Sequence, residues 1–279
     1  MDTLVQALVM GLVQGLTEFL PISSSGHLIA VPILLGWDDP FIGSLAFSVM
    51  LHLGTLGALL VYFRADWLRL VPAGLAALRD RSFAGSPDRR LAWMLVLATV
   101  PAIAGGLLLN DLAETTFRSI TLVAITLIIG AAILWLADRR GSRTRSVSDV
   151  TFPIAIAIGV AQVAALVPGI SRSGISISAG LFAGLDRSSA ARFSFLLATP
   201  VTALAGGYEA LRLVTGEAGF DASSQAGVLA VGMVAAFLAG IAAIAGLLRF
   251  LRTQPTTVFV AYRIVFAAVI LIWWLGLGR

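Results

Sequence analysis

An all-α polytopic membrane protein, with six transmembrane helices plus two re-entrant helical hairpins in an inverted-topology repeat, is the fold class this 279-residue sequence predicts. Three observations lead to it. Hydrophobic residues make up 58% of the chain, charged residues 12%, and the mean hydropathy is +0.96, whereas a soluble domain carries about 25% charged residues. The apolar runs are about 20 residues long, enough to cross a hydrocarbon core as helix, and not the ~10-residue alternating segments of a barrel. The sequence also repeats itself. With an offset of 148 and no gap, Gly11, Gln14, Ile22, Ser23, Ser25 and Gly26 meet Gly159, Gln162, Ile170, Ser171, Ser173 and Gly174.

In chain order, Leu4–Leu35 is an apolar stretch broken by Pro21 and the run Ser23-Ser24-Ser25-Gly26. Each half is too short to span about 30 Å at 1.5 Å per residue, so the stretch reads as a re-entrant helix–turn–helix with the polar segment at its tip. The alternative is one kinked spanning helix. Spans follow at Phe41–Phe63, Leu91–Leu109 and Ser119–Ala137. Phe152–Val167 and Ile175–Leu185 flank a second polar break, Pro168 to Ser176, and form the second hairpin. The last three spans are Phe193–Val214, Ala226–Leu248 and Val258–Leu277. The chain is one membrane domain over 1–279, with repeat halves of approximately 1–140 and 149–279.

Charge orients these elements. All 19 basic residues are arginine. Arg64, Arg69, Arg79, Arg81, Arg89 and Arg90 fall after the first span, Arg139, Arg140, Arg143 and Arg145 after the third, and Arg249 and Arg252 after the fifth. Those loops are expected in the cytoplasm. Asn110–Arg118 and Thr215–Gln225, with Asp111, Glu114, Glu217 and Asp221, are expected outside. The alternation holds only if the first hairpin enters from outside and the second from inside, which makes the halves inverted and brings the tips together near mid-membrane. Both termini then lie outside. The net charge of +4 and pI of about 10.6 follow from this loop arginine, not from nucleic-acid binding. There is no cysteine, so no disulfide or thiol chemistry is available. The start of the chain, with Asp2 and no basic segment, does not read as a cleaved signal peptide.

Polar, broken backbone at membrane depth is tolerated where protein or a cavity surrounds it, so the two breaks are the expected working site. Glu18 is the only acidic residue between Asp2 and Asp38, and an intramembrane carboxylate is functional by default; the plainer reading is an ion pair with an arginine of another helix. His27 closes the serine turn of the same segment; imidazole suits acid–base or nucleophilic work, with Glu18 orienting the ring. His52, within the apolar run Met50–Leu60, reads as a satisfied core residue. Ser23, Ser24, Ser25 and Gly26 offer hydroxyls and N–H groups to phosphate oxygens, or cap the next helix. Arg172, between Ser171 and Ser173 with Gly174 and Ser176 following, fits phosphate through paired donors; the alternative is an arginine snorkelling to the interface. Glu, His, Ser and Arg in a partly dry cavity suit phosphoryl transfer. Glu18 and Gln14, one turn apart, are a candidate oxygen pair for a divalent cation; no His/Cys cluster points to zinc.

At these residues the chain resembles the undecaprenyl pyrophosphate phosphatases of the bacitracin-resistance type. Gln14, Glu18, Pro21, Ser23, Ser24, Gly26 and His27 match the first family signature, and Pro168, Gly169, Ser171, Arg172 and Ser173 the second. The resemblance covers nearly the whole chain. It implies a hydrolase of the bacterial cytoplasmic membrane that removes the terminal phosphate of a C55 polyprenyl pyrophosphate, recycling the carrier for peptidoglycan synthesis and conferring resistance to bacitracin. It also implies a site open to the periplasmic or outer side and dependence on Mg²⁺ or Ca²⁺. By carry-over, Glu18 and His27 are catalytic, Ser24 is nucleophile or phosphate ligand, and Arg172 holds the pyrophosphate, with Ser23, Ser25, Gly26, Ser171, Ser173, Gly174 and Ser176 around the substrate. A homodimer is an assembly open to such a chain. Gln14 stands where many members have Glu, and Ser176 where Thr is usual. The type 2 phosphatidic acid phosphatases, which share a Ser-Gly-His motif, need a later histidine, and none follows His52. A polyprenyl phosphate flippase or anion transporter is the rival from another class, since inverted repeats are transporter architecture; it has no need of the Glu18/His27 pair.

Overall fold

The structure, a computed structural model, describes residues 2–114, 119–217 and 222–276. It is 81% helix, with no strand among the described residues beyond a single bridge between Arg145 and Leu185. Residues 115–118 and 218–221 of the two acidic connections expected to face outward lie outside the described residues, as does Leu277 at the end of the last expected span.

Helix α1 (Thr3–Phe19) starts on the Asp2 side chain, which accepts from the Leu4 amide. It stops at Leu20, which is extended because a residue before proline avoids helical angles. After the turn Leu20–Ser23 comes α2 (Ser24–Leu34). Helix α3 (Leu45–Tyr62) is capped by Ser44, α4 spans Arg64–Arg79, α5 Pro87–Glu114, and α6 (Ile120–Arg140) is capped by Ser119. Helix α7 (Phe152–Ala161) runs into a 3-10 turn, Gln162–Leu166; α8 (Arg172–Phe182) follows the second polar break. Then come α9 (Arg187–Val214), α10 (Ala222–Phe250) and α11 (Thr257–Gly276).

Five of these helices are long and apolar enough to cross a membrane: α3, α5, α6, α10 and α11. The expected fourth span, Phe193–Val214, is a helix, but the described residues do not place it in that group. Arg187, Arg192, Glu209 and Arg212 all lie in α9, and these charges lower its hydropathy. A second difference lies in the expected loop between Arg64 and Arg90, which contains a helix. Helix α4 buries Leu70 and Ala77 and exposes Leu68, Val71, Leu75 and Leu78 along one stripe, the pattern of a helix lying in a membrane interface.

The helices pack through small residues. A Cβ on Gly11 of α1 would lie 2.2 Å from the Gly232 carbonyl of α10, and one on Gly159 of α7 would lie 2.3 Å from the Ala98 carbonyl of α5. Close backbone approach of this kind drives helix association in lipid. The neighbour relations come in pairs: α1 and α3 pack on α10, while α7 and α9 pack on α5. Helix α2 runs from its turn toward the Ser119 end of α6, clustering Ile29 and Ala30 with Ile120 and Val123. Helix α8 runs the other way, so that the Leu181 carbonyl lies beside Gly141. The two hairpins therefore open toward opposite ends of α6, with their turns between.

Candidate active site

The two turns have the same local structure. Ser23 and Ser171 each hold φ at 75°, a region that costs a non-glycine residue about 1–3 kcal/mol. Each repays this with the same cap: Ser23 Oγ accepts from the Gly26 amide at 3.3 Å, and Ser171 Oγ from the Gly174 amide at 3.1 Å. The conformation places the next residue, Ser24 in one turn and Arg172 in the other, at the first position of a helix.

The tips are joined directly. Ser23 Oγ also accepts from the Gly169 amide at 3.1 Å, and Ser173 Oγ donates to the Leu20 carbonyl at 3.0 Å. Arg263 of α11, fully buried, lies behind both. It donates to the carbonyls of Pro21 (3.3 Å), Gly169 (2.7 Å) and Ile170 (3.0 Å), and through Nε to Leu127 (3.0 Å). A guanidinium is the one side chain with enough fixed donors to satisfy so many turn carbonyls at once.

Glu18 is the centre of the site. It projects from the last turn of α1 and is buried. Oε1 accepts from Arg172 Nη2. Oε2 accepts from Ser24 Oγ and, at 3.1 Å, from Gln14 Nε2. His52 Nε2 of α3 lies 3.3 Å from the same oxygen. His52 Nδ1 faces the Ser48 carbonyl at 2.8 Å, so the ring fills both contacts only with a proton on each nitrogen. Arg172 is fixed from its other side: Nη1 donates to the Ala198 carbonyl (3.0 Å) and to Thr202 Oγ1 (2.9 Å) of α9. The arginine is thus held inside the protein, not snorkelling, and the plain ion-pair reading of Glu18 describes a real contact within a larger cluster.

His27 lies elsewhere. Its Nδ1 faces the Ser23 carbonyl at 2.7 Å, its Nε2 faces Tyr262 Oη at 2.7 Å, and its ring stacks on Phe266 with centroids 4.1 Å apart. The expectation that Glu18 orients His27 is not met, because the helical rise between Phe19 and Ser24 is broken and the two side chains leave the turn in different directions. The position beside Glu18 belongs to His52, which the sequence reading had assigned to the core. The sequence reading does not single out Arg263 or Tyr262, although an arginine inside the apolar run Val258–Leu277 is itself a signal of a buried functional group.

The remaining expected residues divide. Ser24 and Ser25 are half-buried at the turn, with Ser25 Oγ 3.3 Å from Ser23 Oγ. Gly26 and Gly174 supply the capped amides. Ser171 and Ser173 hydroxyls lie 3.1 Å apart, while Ser176 Oγ is turned onto its own helix, donating to the Arg172 carbonyl at 2.7 Å. Among the described residues no group of three or more His, Cys, Asp or Glu side chains is placed to hold a metal ion. Gln14 Oε1 is buried with no hydrogen-bond partner among them. A neutral oxygen left free beside one carboxylate suits a hard cation that takes its other ligands from phosphate and water.

The bacitracin resistance protein BacA family matches residues 7–269. An undecaprenyl-diphosphatase of Myxococcus xanthus is 45% identical over 270 residues, covering 97% of this chain and 89% of its own length. One from Gemmatimonas aurantiaca is 46% identical over 268 residues, covering 96% of this chain and 97% of its own. One from Thioalkalivibrio sulfidiphilus is 44% identical over 268 residues, covering 96% and 98%.

Proposed function

The chain belongs to the bacitracin resistance protein BacA family, and from that premise we infer that it is an undecaprenyl-diphosphatase: a multi-pass membrane hydrolase that converts undecaprenyl diphosphate to undecaprenyl phosphate and inorganic phosphate. The observation that carries this to a site is Glu18, which takes the Ser24 hydroxyl on one oxygen and the Arg172 guanidinium on the other.

That arrangement supports Ser24 as the nucleophile. Ser24 Oγ attacks the terminal phosphorus and its proton passes to Glu18. The bond from phosphorus to the bridging oxygen breaks, and the lipid monophosphate, a good leaving group, departs. Arg172 binds the terminal phosphate; in turning toward it, the guanidinium loosens its hold on Glu18 and leaves a stronger base. His27, with Nδ1 on the Ser23 carbonyl and Nε2 on Tyr262 Oη, acts through that hydroxyl: the water that attacks the phosphoserine gives a proton to Tyr262 Oη as Tyr262 passes its own to Nε2, and Glu18 returns its proton to Ser24. Inorganic phosphate leaves and both residues are reset once His27 loses its proton to solvent. The turn amides and the Ser25, Ser171 and Ser173 hydroxyls line the phosphate position. Gln14 Oε1 and Glu18 would hold Mg²⁺ or Ca²⁺, which neutralises phosphate charge when bound.

The paired packing of α1 on α10 and α7 on α5, with two identically capped turns, supports an inverted repeat of halves 1–140 and 149–279. The reading extends to six spans, counting α9, plus two re-entrant hairpins. The arginine-rich loops favour the cytoplasm for the Arg140 end of α6 and the periplasmic side of the bacterial inner membrane for the opening of the first hairpin.

The test is phosphate release from undecaprenyl diphosphate by the purified protein in detergent, with and without EDTA, for wild type, Ser24→Ala and Arg172→Ala. Loss in both variants, with wild-type release suppressed by EDTA, is expected. No release from well-folded wild type would overturn the reading and return the lipid-transport alternative.

A further inference from the structure

About 18 Å along α6 from Thr126, which touches the turn at Pro168, a cavity opens at the arginine-rich end of the molecule. Its volume is about 370 Å³, and it is lined by Trp135, Asp138, Arg139, Arg143, Arg187 and the segment that leads into α11, Pro255, Thr256 and Thr257. We propose that this cavity is a second anion site, built for a phosphate group carried either by a lipid headgroup or by free phosphate.

The bland reading is that these arginines merely obey the charge bias of membrane loops. The geometry goes further than that bias requires. Asp138 is buried and fully engaged: Oδ2 accepts from the Thr256 amide and hydroxyl, both at 2.9 Å, and Oδ1 accepts from Arg187 Nε at 2.6 Å. It therefore acts as a bracket. It ties the start of α11 to the end of α6 and fixes Arg187 by its inner nitrogen, which leaves the two terminal nitrogens with no hydrogen bond among the described residues. Arg143 approaches the same carboxylate only at 3.7 Å. Arg139 is held over Trp135, 4.8 Å from the ring centroid, so its flat face is occupied and its donor edge is not. Two guanidiniums, of Arg187 and Arg143, thus approach one already satisfied carboxylate, and a third, of Arg139, lines the same cavity, beside the positive end of the 20-residue α11. A pocket with uncommitted, pre-oriented guanidinium edges selects a phosphate oxygen over a carboxyl-poor apolar ligand. Basic pockets between membrane helices bind lipid head groups in this way. A second basin, lined by Arg143, Asp186, Arg187, Ser188, Leu251 and Arg252, adjoins the first through its shared arginines.

The proposal does not depend on the phosphatase reading. Isothermal titration of the purified protein in uncharged detergent tests it, with dihexanoyl phosphatidic acid and inorganic phosphate as separate probes. Binding is read as the difference between wild type and Arg139→Gln/Arg143→Gln, so that phosphate held at Arg172 cancels. Both substituted residues are exposed, so the fold and phosphate release should persist; Arg187→Lys, which keeps a cation beside Asp138 but loses the free guanidinium edge, serves as an independent second variant. A tenfold or greater loss of phosphatidic acid affinity in both variants, with turnover retained, is expected. If inorganic phosphate shows the same loss and competes with the lipid, the occupant is free phosphate; if it does neither, the occupant is a headgroup. Equal affinity in wild type and variants, or no variant-sensitive binding of either probe, overturns the proposal.

Discussion

Replacing Glu18 by Gln is the most informative single change, because the contacts predict that an amide cannot serve in its place. Oε1 faces one donor, from Arg172, and Oε2 faces donors from Ser24 and Gln14 with His52 close by. An amide has one acceptor and one donor end. In either orientation its NH₂ meets at least one donor head on, and the Arg172 guanidinium loses its counter-charge in a buried place. Removing one partner of a buried pair costs about 3–5 kcal/mol, and removing a general base costs about 10²–10⁴ in rate. Glu18→Gln should therefore lower phosphate release by at least about 10² and lower the melting temperature in detergent by roughly 10 °C. Glu18→Asp, which keeps the charge one methylene short, should recover stability more than turnover. The measurements are phosphate release under saturating substrate and a thermal melt of the same monodisperse sample. Glu18→Gln within tenfold of wild-type turnover would refute the role of the carboxylate, whatever its effect on stability.

Three further outcomes are expected. His52→Ala removes a contact to a charged group worth about 1.5–3 kcal/mol and should slow turnover by about 10- to 150-fold, whereas a core histidine replaced by Ala would lower stability alone; paired melts and rates separate the two. Arg263→Met leaves the carbonyls of Pro21, Gly169 and Ile170 without their donor, at about 1–3 kcal/mol for each buried group, so stability and phosphate release should fall together. Gly11→Ala and Gly159→Ala each drive a Cβ into a backbone carbonyl of the neighbouring helix and should destabilise by about 1–3 kcal/mol, while Gly106→Ala, with nothing within 4 Å of the added carbon, should be neutral or stabilising in the same melt.

The parts legible in the sequence are those that depend on near neighbours. Pro21 and the serine run mark where α1 must stop, and the offset of 148 between the two polar breaks pairs turns that prove to share a φ of 75° and a serine cap. The meeting of the tips followed from loop arginine and the alternation of spans. What stayed hidden depends on contacts far apart in the chain. His52 reaches Glu18 only because α3 packs against α1, and the side of α1 that carries Glu18 was not assigned a neighbour. His27 and Glu18 are close in sequence, but the turn between them sends His27 to Tyr262, which is 235 residues away. Arg263 sat in an apolar run where the argument applied to Glu18 was equally available. The expected span Phe193–Val214 is a helix that carries several charges, and it stays packed with the others because Arg192 and Arg212 find partners in Asp66 and Glu209.

The offset of 148 divides the contacts of Glu18 between the two turns. Across the offset of 148, Gln14 meets Gln162, Ser23 meets Ser171 and Gly26 meets Gly174, so the scaffold of the turn is shared. The chemistry is not: Glu18 meets Leu166, Ser24 meets Arg172 and His27 meets Ile175. In two packed copies, the residues that follow the capping serines are presented toward the same space. One copy contributes the hydroxyl and its carboxylate, the other the cation, and Glu18 touches both. A turn that held both groups would have to place an arginine and a reactive hydroxyl at one helix position, which a single residue cannot do. Exchanging the two residues, as Ser24→Arg with Arg172→Ser, keeps the composition of the site but moves the hydroxyl to the turn that carries Leu166 in place of a carboxylate. If the division of labour is as the contacts indicate, the exchanged protein should fold and bind phosphate yet release none from undecaprenyl diphosphate; wild-type-like release from it would mean that the turns are interchangeable and that Glu18 does not activate the serine.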